Sequence, residues 1–132
     1  MPHIWIECSK NLVDEPEVKA LKQVIYEAAL ETGIFPIGGI RVRFQTIDDY
    51  VVGDGDPSNG FVHVILRIGH GRDLETRRAA ADHVFEKVKA LLTPLNGRAP
   101  LAVAFELQEM SSDHNYKYNN LHDYIARRGN AA

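Results

Sequence analysis

The chain has 132 residues, 45% hydrophobic and 25% charged, with a formal net charge of −3. That is the composition of one ordinary globular domain, and its acidic balance excludes the basic footprint of a nucleic-acid binder. No apolar run approaches the roughly 18 residues of a membrane span, no leader-like segment opens the chain, and the single cysteine, Cys8, has no partner for an internal disulfide; a cytoplasmic protein with no membrane partner is expected.

The chain starts Met1-Pro2. Aminopeptidases readily remove methionine before a small residue, which leaves Pro2 with a free secondary amine. A free α-amino group titrates near 7.7–8.0, and burial or neighbouring cations lower that value further. Such an amine is an uncharged base at neutral pH. Proline here is also what efficient processing alone would select.

Residues 2–8 carry Ile4, Trp5 and Ile6 and read as a strand, with Cys8 as buried filler at its end. A polar connection covers 9–13. Asp14 reads as an N-cap, with Pro16 in the first turn and Glu17 three residues on. Val18, Leu21, Val24, Ile25, Ala28 and Ala29 recur at helical spacing, so 15–32 is predicted helical, with Gly33 as its stop. After a loop holding Gly38 and Gly39, residues 40–47 alternate as a second strand. Residues 48–60 are rich in Gly, Asp, Asn and Pro and read as a loop able to hold a short hairpin. Phe61–Ile68 is a third strand. Gly69-His70-Gly71-Arg72 turns the chain, Asp73 caps a second helix, and Pro94 and Gly97 are expected to end it near residue 93. Leu101–Gln108 is a fourth strand. A tail from Ser111 holds a short helix near 119–127, and 129–132 should fray.

The order is strand–helix–strand twice, with matching offsets: pseudo-repeat halves over about 2–58 and 59–110 and a tail over 111–132, within one domain spanning 1–132. The fold class is α/β (α+β): two tandem βαβ units forming a four-stranded mixed sheet with two helices on one face. One row of each strand is cleanly hydrophobic. The opposite rows, with His3, Trp5, Glu7, Arg41, Arg43, Phe61, His63, Ile65 and Arg67, are mixed. A sheet with parallel pairs rarely leaves such a face bare, so oligomerisation over it is expected.

Two arginines stand at places suited to chemistry. Arg41 opens a strand just after Gly38-Gly39, and Arg72 sits between Gly71 and a helix start. Their planar forks suit carboxylates, and flanking glycines let a ligand approach the backbone. The other reading pairs Arg41 with Glu7 or Glu106 and leaves Arg72 solvated. The six histidines show no metal-binding spacing, although His3 adjoins Pro2 and could shape its pocket. Gly69-His70-Gly71 lacks the rest of a phosphate-loop fingerprint. Tyr116, Tyr118 and Tyr124 read as packing or subunit-contact residues.

Taken together, Pro2-His3-Ile4 with Ile6-Glu7-Cys8-Ser9, Thr32-Gly33-Ile34-Phe35-Pro36 with Gly39-Ile40-Arg41, Phe61-Val62-His63 with Arg67-Ile68-Gly69, Gly71-Arg72 with Leu74-Glu75, and Tyr118-Asn119-Asn120-Leu121-His122 resemble the tautomerase superfamily, and within it the 5-carboxymethyl-2-hydroxymuconate isomerase family. The resemblance covers nearly the whole chain in the family's order. It implies a tautomerase-like fold, a homotrimer, Pro2 as the proton-transfer base, and Arg41 and Arg72 as residues that bind and polarise an anionic dienol substrate in homoprotocatechuate (4-hydroxyphenylacetate) degradation. It implies no metal and no organic cofactor. Phenylpyruvate-type or short-dienol tautomerisation, hydrolytic dehalogenation, and a non-catalytic oligomeric ligand-binding role remain as alternatives on the same scaffold.

Overall fold

The computed structural model describes residues 2–129. Processing of Met1, and fraying of 130–132, lie outside the described residues. The elements are β1 (His3–Ser9), α1 (Pro16–Glu31), β2 (Arg41–Ile47), β3 (Gly60–Ile68), α2 (Leu74–Asn96), β4 (Leu101–Glu109) and α3 (Leu121–Arg127), with single 3₁₀ turns at Lys10–Leu12 and Ile37–Gly39. The sheet order is β2-β1-β3-β4. β1 pairs parallel with β2 and β3 parallel with β4, while β1 and β3 meet antiparallel at the centre. This is the mixed four-stranded sheet expected from two βαβ units.

Alternation decides which face is covered. Ile4, Ile6 and Cys8 of β1 and Val62, Val64, Leu66 and Ile68 of β3 are buried. They pack with Val18, Leu21, Ile25, Ala28 and Ala29 of α1 and Val84, Val88, Leu92 and Leu95 of α2 in one cluster. Both helices therefore cover the same face. The outer strands contribute Val42, Phe44, Val103 and Phe105, which are only partly buried. Cys8 is fully buried in this core, and burial pushes its thiol up to about 11, so it packs as a small hydrophobe.

Three local expectations are corrected. The N-cap of α1 is Glu15, not Asp14, because a residue before proline is driven to extended geometry and Glu15 is that residue, at φ −67° and ψ 137°. Its carboxylate makes no capping bond. It joins Glu17 instead in holding Arg98, at 2.8 and 2.6 Å. The second correction concerns α2, which runs through Pro94 to Asn96 rather than ending near 93. Proline removes one late hydrogen bond, but Leu92 and Leu95 on either side are buried and keep the final turn docked. As expected, Asp73 caps this helix, its side chain accepting from the Thr76 N–H at 2.8 Å.

The third is the 48–59 loop, which holds no hairpin. Side-chain amides organise it instead. Asn59 Nδ2 donates to the Val52 carbonyl at 3.0 Å and to Asp54 at 2.8 Å, and Asn11 Nδ2 reaches the Asn59 carbonyl at 2.9 Å. These amides bond the loop backbone where Tyr50, Val51 and Val52, set between aspartates and glycines, form no ladder.

Candidate functional site

The sheet topology gathers the sequence-predicted site residues at one end. His3 lies opposite Arg41 on the parallel side and opposite Arg67 on the antiparallel side. Ile68 lies opposite Glu109. The starts of β1 and β2 and the ends of β3 and β4 thus share an edge. Pro2 leads into the first of these strands, Arg41 opens the second, and the Gly69–Arg72 turn leaves the third.

Pro2 is buried. Its carbonyl accepts the Arg41 N–H at 3.1 Å, which ties the start of β1 to the first residue of β2. Arg41 turns its guanidinium back onto the Gly39 carbonyl at 3.1 Å. Arg72 donates to the Ile34 carbonyl at 2.8 Å and lies 5.2 Å over the ring of buried Phe35. The two guanidiniums therefore grip the 34–39 segment near its two ends. Each uses one of the five N–H donors of its fork on that backbone.

Among the described residues, neither arginine has a carboxylate within ion-pair distance. The alternative partners of Arg41 are accounted for: Glu7 sits 3.5 Å from His63, and Glu106 accepts from Gln108 at 3.1 Å. By contrast, Arg77 and Arg98 are both ion-paired. In an acidic chain, arginines left without carboxylates at one edge leave positive potential for an anion.

His3 faces away from the helices, on the same side of the sheet as its register partners Arg41 and Arg67. Its ring stacks on Trp5 at 5.7 Å, and its Nδ1 lies 3.1 Å from an Arg43 amine. Burial lowers its pKa, and the nearby Arg43, Arg41 and Arg67 charges lower it further. The ring is neutral at pH 7, and Nδ1 accepts from Arg43. Arg43 also lies 4.5 Å over the Trp5 ring. His3, Trp5, Arg43, Arg67, Ser111 and Asn115 help to line an open cavity of about 400 Å³ on this face. Arg43 and Arg67 were not singled out from sequence, although the alternating Arg41-Val42-Arg43 row placed Arg43 beside Arg41.

The tail also packs at this end. α3 sets His122 against the Ile37–Gly39 turn, so closely that a Cβ on Gly38 would lie 2.7 Å from His122 Nδ1. A side chain at 38 would displace the His122 ring from this position, a constraint that composition alone does not reveal. Tyr116, Tyr118 and Tyr124 are exposed, and Arg127 lies 5.0 Å over the Tyr124 ring. Among the described residues, no three His, Cys, Asp or Glu side chains gather as a metal-ligand set. Chemically, the edge offers a proline at a strand start and two donor forks on one short loop.

Comparison with known proteins agrees with this fold. The family model described as 5-carboxymethyl-2-hydroxymuconate isomerase matches residues 2–125. The chain is 38% identical to 5-carboxymethyl-2-hydroxymuconate Delta-isomerase of Escherichia coli, covering 92% of this chain and 97% of that one. A crystal structure of a 5-carboxymethyl-2-hydroxymuconate isomerase from Deinococcus radiodurans R1 superposes with a TM-score of 0.86 at 32% identity, covering 94% and 93% of the two chains. Another crystal structure, of a 5-carboxymethyl-2-hydroxymuconate delta-isomerase, superposes with a TM-score of 0.80 at 26% identity, covering 95% and 93%.

Proposed function

The chain belongs to the 5-carboxymethyl-2-hydroxymuconate isomerase family, within the tautomerase superfamily, and from that membership we propose that it converts a 5-carboxymethyl-2-hydroxymuconate-type dienol into the conjugated ketone. The observation that carries this reading is the shared edge, where Pro2 is bonded to Arg41 through the backbone and Arg72 folds onto the loop that leads into Arg41. In this reading Met1 is removed and Pro2 is the base. Its neutral nitrogen takes the proton from the 2-hydroxyl group and returns one to carbon at the far end of the conjugated system. Arg41 and Arg72 hold substrate carboxylates and stabilise the charge that develops on the dienolate oxygen. The product would feed the later steps of homoprotocatechuate degradation.

The test is steady-state kinetics on a panel: the carboxymethyl-hydroxymuconate, a shorter dienol with fewer carboxylates, and enol-phenylpyruvate, each followed by ultraviolet absorbance. The expected result is a kcat/KM for the first that exceeds the others by about a hundredfold or more, since a site built around charged donors rejects analogues that leave them unpaired. Equal or better turnover of phenylpyruvate would replace the proposed substrate.

The assembly is proposed to be a homotrimer. Its support is the sheet face away from the helices, where Trp5, Phe61 and Ile65 remain only half-buried and Ala102 and Ala104 exposed, and the exposed tyrosines of the tail. Apolar surface of this kind is ordinarily covered by another chain. Sedimentation equilibrium should return the mass of three chains, and a monomer at micromolar concentration would reject the assembly.

A further inference from the structure

We infer that Arg77 and Glu109 are positioning residues for Arg72, acting through the Gly69–Arg72 turn and not on substrate. The inference rests on the reading of Arg72 as a substrate-carboxylate holder. The turn itself has little to fix it. It links the end of β3 to the start of α2 through exposed His70 and Gly71, and Gly71 stands at φ +122°, open to glycine and few others. Whatever holds this backbone also fixes where the Arg72 side chain starts.

Two groups hold it. Arg77, one turn into α2, donates from Nε to the Arg72 carbonyl at 3.2 Å. Its Nη1 lies 3.3 Å from Glu109 Oε1. The other carboxylate oxygen of Glu109 accepts the Gly71 N–H at 3.4 Å and lies 3.6 Å from His70 Nδ1. Glu109 is the last residue of β4, so it binds the turn directly and, through Arg77, a second time. Both anchors are rigidly based. The Arg77 N–H donates to the Asp73 carbonyl at 3.1 Å in the first turn of α2, whose Ala80 and Val84 are buried, and Glu109 lies in register with Ile68. The Arg77 and Glu109 side chains are 29% and 26% exposed, sheltered enough to hold their geometry better than a fully solvated pair.

The arrangement matters because Arg72 divides its fork. One amine is committed to the Ile34 carbonyl, and the remaining donors must meet the substrate without redirection. A displacement near 1 Å at such a group lowers rates about 10²-fold. Arg77 makes two different contacts with one planar fork, which a lysine's point charge does not reproduce.

A double-mutant cycle tests this on the intact protein. Arg77→Ala and Glu109→Gln are each measured alone and in the Arg72→Ala background, with kcat and KM separated and melting temperatures recorded. Each single variant is expected to lower kcat/KM by about tenfold, mostly through KM, and the same change made in Arg72→Ala is expected to cost less than about twofold. Glu109→Gln keeps an acceptor oxygen, so it serves as the milder variant if Arg77→Ala folds poorly. An equal loss in both backgrounds, with Arg72→Ala itself impaired, overturns the positioning role while leaving the reading of Arg72 intact. Wild-type kinetics in Arg72→Ala would overturn both.

Discussion

Pro2→Ala, in protein whose intact mass confirms loss of Met1, is expected to lower kcat/KM by about 10²-fold or more. The variant still begins with an α-amine, so the loss measures what the ring supplies: a secondary amine fixed at one angle where β1 begins. A proton-transfer base must reach two positions on one bound planar molecule, and a freely rotating primary amine reaches each for less of the time. Pro2 is buried, and the Arg41 N–H donates to its carbonyl at 3.1 Å, which fixes the ring where β1 begins. The rising limb of the kcat/KM profile with pH should follow the Pro2 amine. A chain that keeps Met1 has an amide at this position and should be inactive. Near-wild-type turnover in Pro2→Ala would remove Pro2 as the base.

Arg72→Ala is the second large effect, a loss of about 10²–10³ in rate, or roughly 3–4 kcal/mol, the usual consequence of deleting one preorganised charged donor. The fold should survive. Arg72 is half-buried at the edge of the sheet, and α2 keeps its Asp73 cap. What disappears is the fork held between the Ile34 carbonyl and the Phe35 ring. Arg72→Lys should recover only part of the activity, because a lysine ammonium lacks the planar face that lies over Phe35 and the second parallel donor. Kinetics on substrates that differ by one carboxylate make the check sharper: the loss should shrink on the less charged substrate. Unchanged kcat and KM on both would exclude Arg72 from the site.

The fold was legible in the sequence wherever burial imposes a period. Ile4 and Ile6, Val62 to Ile68, and the helical rows from Val18 to Ala29 and Val84 to Leu95 are the fully buried core, and these rows disclosed β1, β3, α1 and α2. Ends were less legible, because competing neighbours decide them. Pro16 moved the cap to Glu15, and the docked Leu95 carried α2 past Pro94. Pro2, Arg41 and Arg72 were visible through their neighbours in the chain, a strand start and two glycine-flanked turns. What holds them was not. Arg77 and Glu109 meet across 32 positions of sequence (109 − 77), and His122 meets Gly38 across 84 (122 − 38). Nothing local in the sequence distinguishes such residues from solvated surface charges.

The antiparallel join of β1 and β3 gives the chain two ends of similar design but unequal chemistry. At one, β1 opens at His3, directly after Pro2. At the other, the start of β3 is an interior peptide at Gly60, where Leu12 and Ser9 crowd so closely that a Cβ would lie 2.5 Å from Leu12 Cδ1. Under the proposed role of Pro2, the edge where β1 begins carries the chemistry, and the start of β3 at Gly60 holds no counterpart to it. That twin edge is closed by packing, with Leu12 against Gly60 and Asn11 Nδ2 on the Asn59 carbonyl.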